Sequence, residues 1–201
     1  MKGLLYKDFC MIKKYCRSYL LIVLIFMVIS IFNADNMFFV FYPCLVVGMI
    51  PTNLLAYDER SKWVEYSKVL PYSAFDIVSG KYLIGLIMTV VVVLFNTICH
   101  LFVSNIDNII LFIAYMITIS LVISSIPITF MFRFGVEKGR MAYYIMIGFF
   151  TAMSFVFAGI IEDFRLINVN EYMLSVGMIV IGISFYMLMW YLSIKLYSKN
   201  K

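Results

Sequence analysis

The chain has 201 residues and is unusually apolar: 64% of its residues are hydrophobic, 13% are charged, and the net charge is +5. Soluble globular proteins are about half apolar and about a quarter charged, so a soluble fold of this length could not bury so much apolar surface. The composition therefore predicts one integral membrane domain over residues 1–201 and excludes an additional soluble catalytic domain.

The first 17 residues predict an amphipathic helix that lies in the membrane interface. Its apolar residues recur at helical spacing on a narrow stripe: Leu5, Phe9, Ile12 and Cys16. Lys7 and Lys14 point the other way, and we expect these cations to face the lipid headgroups. The alternative is that this helix merely extends the first membrane span into water.

Six apolar runs follow, and a helix needs about 20 residues to cross a bilayer core of about 30 Å. The first run is short and the others are of full length. They occupy residues 18–33, 37–56, 82–104, 109–132, 141–161 and 173–194. The sequence therefore predicts an all-α integral membrane fold with six transmembrane helices.

The positions of the basic residues predict the orientation. All but one of the 16 Lys and Arg residues lie in the N-terminal segment, in the loops after spans two and four, or in the C-terminal tail. Arg165 alone lies on the opposite side. Because cytoplasmic loops are enriched in Lys and Arg, we expect a multi-pass protein of the cytoplasmic membrane with both termini in the cytosol.

The spans contain almost no ionisable side chains. His100 lies well inside the third span, with Asn96 one turn earlier on the same face. Two interpretations stay open: these residues line a pathway, or they form an interhelical hydrogen-bond pair. An intramembrane enzyme would need paired catalytic groups at this depth. The sequence offers none, and the four cysteines have no metal-ligand spacing, so neither a catalytic nor a metal site is predicted.

The loop at residues 57–81 is the longest predicted cytosolic segment. It contains four acidic and four basic residues around aromatic side chains. Aromatic residues ringed by charges of both signs are typical of a protein-docking surface. The alternative is an aromatic belt at the membrane interface with solvated charges.

This loop is predicted to fold as a helix, a break and a second helix. Trp63, Tyr66 and Leu70 recur on one face of a short helix, which Pro71 would end. Residues 73–76 (Ser-Ala-Phe-Asp) fit a capping box, which would start the helix that enters the third span.

Several motifs follow one another in this part of the chain: Asp-Glu-Arg at 58–60, Trp63, Tyr66, Leu-Pro at 70–71, Ile-Val at 77–78 and Lys-Tyr at 81–82. Together with the six-span layout, they resemble the ABC-2 type transporter permease family, in particular small single-domain bacterial permeases similar to peptide and toxin exporters. The resemblance covers essentially the whole chain. It implies that the loop holds a coupling helix, between spans two and three, that docks on a separate ATP-binding cassette subunit. The residues implied in that contact are Tyr57, Asp58, Glu59, Arg60, Trp63 and Tyr66.

The chain has no phosphate-binding loop of the form G-x-x-x-x-G-K-[ST], because Gly80-Lys81 lacks the upstream glycine and is followed by Tyr82. We therefore expect no enzymatic activity and no cofactor in this chain, with ATP and Mg²⁺ bound by the partner subunit. The short predicted extracellular loops favour export, and the apolar, aromatic-rich spans suit an amphipathic or lipidic substrate. The resemblance to small peptide and toxin exporters favours a peptide. We expect the permease to act as a homodimer or beside a second permease. The lipid bilayer is an expected partner and nucleic acid is not. The alternative function is a non-transporting membrane sensor or immunity protein.

Overall fold

The computed structural model describes residues 2–32, 37–67, 69–103, 109–164 and 171–199. In these ranges every regular element is an α-helix, as the sequence predicts. The helices are α1 (Lys2–Tyr15), α2 (Arg17–Phe32), α3 (Met37–Arg60), α4 (Trp63–Ser67), α5 (Ala74–Val103), α6 (Ile109–Phe134), α7 (Val136–Phe164) and α8 (Glu171–Lys199).

The six predicted spans fall on α2, α3, α5, α6, α7 and α8. Three stretches of the described chain are long and apolar enough to cross a membrane: Ala74–Ile98, Ile110–Phe134 and Tyr172–Lys199. A shorter apolar stretch, Arg17–Ile29, lies in α2. The six crossings and the cytosolic termini stay predictions, and Arg165, the cation predicted on the opposite side, lies outside the described residues.

Helix α6 lies at the centre of the packing, in contact with α3, α5, α7 and α8. Glycines allow two of these close approaches. A Cβ atom at Gly48 of α3 would lie 3.1 Å from the Ile123 side chain of α6, and one at Gly182 of α8 would lie 3.2 Å from the Cα of Thr118. Membrane helices commonly approach one another through such small residues, because lipid supplies no hydrophobic force between them.

Hydroxyl groups connect α5, α6 and α8 in the interior. The Tyr82 hydroxyl of α5 lies 2.8 Å from both Thr129 Oγ1 of α6 and Ser193 Oγ of α8. The Tyr186 hydroxyl of α8 donates a 2.6 Å hydrogen bond to the Tyr82 carbonyl. These neutral contacts join three helices without placing a charge among them.

The N-terminal helix is a separate element. A bend at Cys16 divides α1 from α2, and α1 packs against α3 and α5 as well as α2. Helix α1 is thus a separate helix held by tertiary contacts, and its location in the membrane interface stays a prediction.

The connection from α3 to α5 consists of a turn, the short helix α4 and a second turn. Lys62, between α3 and α4, adopts the left-handed conformation with φ of 56°. Helix α4 ends at Ser67, earlier than the helix predicted through Leu70. The Leu70 amide donates to the carbonyl of Ser67, three residues back, at 3.3 Å, and Pro71 disfavours the helical conformation at Leu70.

The predicted capping box at the start of α5 is confirmed. The Asp76 amide donates to Ser73 Oγ at 3.1 Å, and the Ser73 amide donates to Asp76 Oδ2 at 3.2 Å. Ser73 Oγ also donates to the same carboxylate at 2.6 Å. These reciprocal bonds satisfy amide groups that the first turn of a helix leaves without partners.

Candidate coupling site

Four charged side chains meet where α1, α3 and α5 pack together. Lys81 Nζ of α5 lies 2.8 Å from Asp8 Oδ1 of α1 and 2.6 Å from Asp58 Oδ2 of α3. Lys7 Nζ lies 2.6 Å from Asp58 Oδ1 and 3.4 Å from Asp8 Oδ1. Asp8, Asp58 and Lys81 are almost completely buried, and Lys7 is partly exposed. We call these four residues the ion-pair cluster.

The ion-pair cluster contains equal numbers of carboxylates and ammonium groups. Burying such charges has a large desolvation cost, so a complete cluster adds little to stability over an apolar contact of the same size. Removing one member is different, because it leaves a buried charge without its partner, at a cost of about 3–5 kcal/mol. The cluster therefore fixes the position of α1 relative to α3 and α5.

The face of α1 that packs on the protein includes part of the predicted apolar stripe. Leu4, Asp8 and Ile12, spaced one turn apart, are all buried, as is Cys16, whereas Phe9 is 44% exposed. Asp8 is the only acidic residue among the first 17. Its helical spacing from Leu4 and Ile12 was a sequence signal for a buried carboxylate, and it was missed.

One of the two cations that were predicted to face the lipid headgroups, Lys7, differs from expectation. Lys14 is exposed, but Lys7 turns towards the protein, where it pairs with Asp58. The Lys7 ammonium also lies 4.2 Å from the centre of the Trp63 ring. A cation over an indole ring is attracted by the negative face of the ring. Lys7 therefore joins α1 to both α3 and α4.

Helix α4 is held from two sides. Trp63 is half-buried beneath Lys7, and its ring centre lies 5.7 Å from that of Tyr66. At the other end of α4, Ser67 is buried and shares a hydrogen bond with the Tyr197 side chain of α8. Helix α1, through Lys7, and helix α8, through Tyr197, thus both position α4.

Three of the six predicted contact residues have inward-facing roles. Asp58 is buried in the ion-pair cluster. Trp63 lies under Lys7, and Tyr57 is half-buried and stacks on Tyr15 of α1 with ring centres 4.4 Å apart. The structure therefore brings these three residues together with α1.

The remaining predicted contact residues face outward. Glu59 and Arg60 are exposed at the end of α3, and Tyr66 is 60% exposed on α4. Two further apolar residues between α4 and the start of α5 are also exposed: Val69 at 85% and Phe75 at 47%. We call these five residues the coupling surface.

The possible pathway residues lie in α5. Asn96 is buried, with 1% of its surface exposed. His100 belongs to the same helix, but its side chain lies outside the part of the chain that the structure describes. The choice between a pathway and an interhelical pair therefore stays a prediction.

Long apolar helices, three of them of membrane-spanning length among the described residues, pack around apolar cores and define a helical membrane protein. The sequence profile of the ABC-2 family transporter proteins matches residues 3–198. The chain belongs to this family, and the resemblance noted from the loop motifs is confirmed. Its members generally work with an ATP-binding cassette subunit. No curated protein and no solved structure matches the chain.

Proposed function

We propose that the chain is the membrane-spanning permease subunit of an ATP-binding cassette exporter, and that a separate ATPase subunit docks on the coupling surface. The observation that carries the proposal is the position of α4. Its neighbourhood presents exposed side chains outward, while its inner side is joined through Lys7 to α1 and α3. A partner that moves α4 would therefore move the helices behind it.

The coupling surface has the composition of a docking site. Tyr66, Val69 and Phe75 expose apolar area on a segment that is predicted to lie in the cytosol rather than in lipid. Glu59 and Arg60 add one charge of each sign beside them. A patch of exposed apolar groups with a polar rim is typical of a protein interaction site.

The ion-pair cluster supplies the mechanical connection. Displacement of α4 would act on Lys7 through the Trp63 ring, and so on α1. Displacement of the end of α3 would act on Lys81, and so on α5, through Asp58. In this proposal Asp58 transmits motion within the permease and does not contact the ATPase, whereas Glu59 makes that contact.

ATP and Mg²⁺ would be bound by the partner subunit. Lys81, of the Gly80-Lys81 pair, lies in α5, and its ammonium group is buried between the carboxylates of Asp8 and Asp58. We propose that two permease chains, identical or paired with a second permease, work with two ATPases. ATP-driven closure of the ATPases would then rock the spans between inward-open and outward-open states.

Export of an amphipathic substrate, with a peptide favoured, fits the composition of the helices. The spans are apolar and rich in aromatic residues, with few charges, and the segments predicted outside the cell are short. A peptide with apolar and polar faces would match such a route better than an ion or a sugar. Growth of cells with and without the transporter, in a series of amphipathic peptides, tests this choice.

The partner is tested by purifying the tagged chain from its native membrane in mild detergent and identifying what accompanies it. The variant is Glu59→Lys combined with Tyr66→Ala, which changes only exposed positions. The matched control is Glu137→Lys combined with Tyr6→Ala, the same two changes at exposed positions that are not part of the coupling surface.

We expect a stoichiometric ATP-binding subunit with the wild-type chain and with the control, and much less of it with the variant. The purified subunit should also hydrolyse ATP faster when it is reconstituted with the wild-type chain. If no ATPase accompanies the chain, and none responds to it, the permease proposal fails. The non-transporting sensor or immunity protein would then be the better account.

A further inference from the structure

A cavity of about 180 Å³ lies between α2, α3 and α7, apart from the coupling site. Tyr19 of α2, Thr52 and Asn53 of α3, and Arg140 and Tyr143 of α7 line it. The lining is polar, in a protein whose spans are otherwise mostly apolar. Such a lining needs a polar occupant.

Two of the lining groups already have partners in the protein. The Thr52 hydroxyl donates to the Met49 carbonyl at 2.7 Å, and the Tyr143 hydroxyl donates to the Leu45 carbonyl. The donors left for an occupant are the Asn53 amide, the Arg140 guanidinium and the hydroxyls of Tyr19 and Tyr144, which also lines the cavity. Of these, Arg140 alone carries a charge.

Asn53 provides the most specific sign of a ligand. The residue is only 9% exposed, and its Nδ2 has no hydrogen-bond partner among the described residues. Buried donors without partners are rare, because they lose their bonds to water and gain nothing in return. Arg140 forms no ion pair within 4.0 Å of any described carboxylate, so its charge is also available.

A guanidinium beside an amide donor favours an anion with several acceptor oxygens. Arg binds phosphate through paired N–H···O bonds, which a neutral ligand cannot match. The cavity is smaller than the 300–1,000 Å³ or so of sites for drug-sized molecules. It therefore fits a small charged group and not a transported peptide.

The cavity also lies at a suitable depth. Arg140 is in the second turn of α7, and Tyr19 is in the first turn of α2. Asn53 lies about 10 Å along α3 from its end at Arg60, at 1.5 Å per residue. These helix ends are predicted to face the cytosol, where anionic lipids give the leaflet a negative surface and basic pockets between helices bind headgroups.

We propose that this cavity binds the phosphate group of an anionic lipid headgroup, with Arg140 pairing with the phosphate oxygens and Asn53 donating through Nδ2. The acyl chains would remain in the surrounding lipid. The site does not depend on the ATPase or on the transported substrate, so it can be tested on the permease alone.

The experiment measures thermal stabilisation of the purified full chain in detergent as a function of added ligand. Three ligands are compared: phosphatidylglycerol, which is anionic; phosphatidylcholine, which has a phosphate but no net charge; and inorganic phosphate. The variant is Arg140→Gln. The matched control is Lys138→Gln, which removes the same charge from an exposed position of the same helix that does not line the cavity.

We expect phosphatidylglycerol to stabilise the wild-type chain and the control, with an apparent affinity about tenfold or more weaker for Arg140→Gln. Phosphatidylcholine should have little effect on the stability of the wild-type chain, the control or the Arg140→Gln variant. An Arg140-dependent response to inorganic phosphate alone would keep the phosphate site and assign it to a soluble ligand instead of a lipid. A response to all ligands that is equal in the variant and the control would overturn the proposal.

A second variant, Asn53→Leu, keeps the test valid if Arg140 has a structural role. The Asn53 Nδ2 has no protein partner to lose, so the lipid-free chain should be as stable as wild type or more stable. Affinity for phosphatidylglycerol should nevertheless fall. Unchanged affinity in Asn53→Leu would remove the amide from the site and would contradict the proposed recognition.

Discussion

Lys81 of α5 binds the carboxylate of Asp8 of α1 at 2.8 Å, although 73 residues separate the two along the chain. Their side chains are only 1% and 0% exposed. Such a contact makes α1 part of the packed helical domain, about two turns after α5 begins at Ala74. It also makes the start of α5 sensitive to any displacement of α1.

Replacing Lys81 by Met should destabilise the chain strongly. Met has a similar length but no charge, so Asp8 and Asp58 would share the single cation of Lys7 within a buried site. Leaving a buried charge without its partner costs about 3–5 kcal/mol. Thermal unfolding in detergent, followed by size-exclusion chromatography of the heated samples, measures this loss.

The double variant Asp8→Asn/Lys81→Met tests the cause. It leaves one cation, Lys7, and one anion, Asp58, so the charge balance is restored and much of the lost stability should return. Lys13→Met, at an exposed position of α1, should change the free energy of unfolding by no more than about 0.5 kcal/mol. If the double variant is less stable than Lys81→Met alone, charge balance is not what the cluster requires.

Features set by neighbouring residues were predictable from the sequence. The Ser73–Asp76 capping box depends on groups three residues apart, and the apolar runs that became helices depend on composition over about 20 residues. The family could also be recognised, because the loop motifs follow one another in fixed order. For Asn96 and His100 the sequence left two interpretations open, because helical spacing places them on one face but does not show which helix that face meets.

The ion-pair cluster was not predictable in the same way, because it depends on contacts between distant segments. From the sequence, Lys7 and Asp58 looked like surface charges, one for headgroups and one for a partner. Only the packing of α1 against α3 and α5 turns them inward. The helix predicted through Leu70 was also too long, because α4 ends at Ser67. The aromatic spacing indicated one helix face, but it did not show where the chain leaves the helical conformation before Pro71.

Gly182→Ala should weaken the contact between α8 and α6. A Cβ there would lie 3.2 Å from the Cα of Thr118 and 3.3 Å from its Oγ1. The backbone of α6 cannot move away without disturbing the nearby bond from Thr118 Oγ1 to the Met178 carbonyl, at 3.1 Å. Inserting a methyl group into such a contact costs about 1–3 kcal/mol, which a shift in thermal unfolding would report.

The control for this change lies on the same helix. A Cβ at Gly177 would meet no atom within 4 Å, so Gly177→Ala should be neutral or should stabilise the helix by up to about 1 kcal/mol. Equal effects of the two substitutions would mean that α8 does not pack against α6 as described.

Lys62→Gly should stabilise the turn between α3 and α4. Lys62 has φ of 56°, a conformation that costs an L-residue with a side chain about 1–2 kcal/mol and costs glycine almost nothing. The greater freedom of glycine in the unfolded chain offsets part of this gain. We expect a small rise in the unfolding temperature, whereas Lys195→Gly, at an exposed position inside α8, should lower it. A fall for both would argue against the left-handed turn.

Trp63→Ala and Tyr66→Ala should separate the inner and outer roles of α4. Trp63 contacts Lys7 across 4.2 Å, and a cation over an indole ring contributes about 0.5–2 kcal/mol. Amide hydrogen exchange across α1 should therefore become roughly two- to thirtyfold faster in Trp63→Ala. Tyr66 is largely exposed, so its loss should leave exchange in α1 unchanged and reduce only the binding of an ATPase subunit. If Trp63→Ala leaves α1 as protected as before, the Lys7 contact does not hold this helix, and motion of α4 would have to reach the spans through the end of α3.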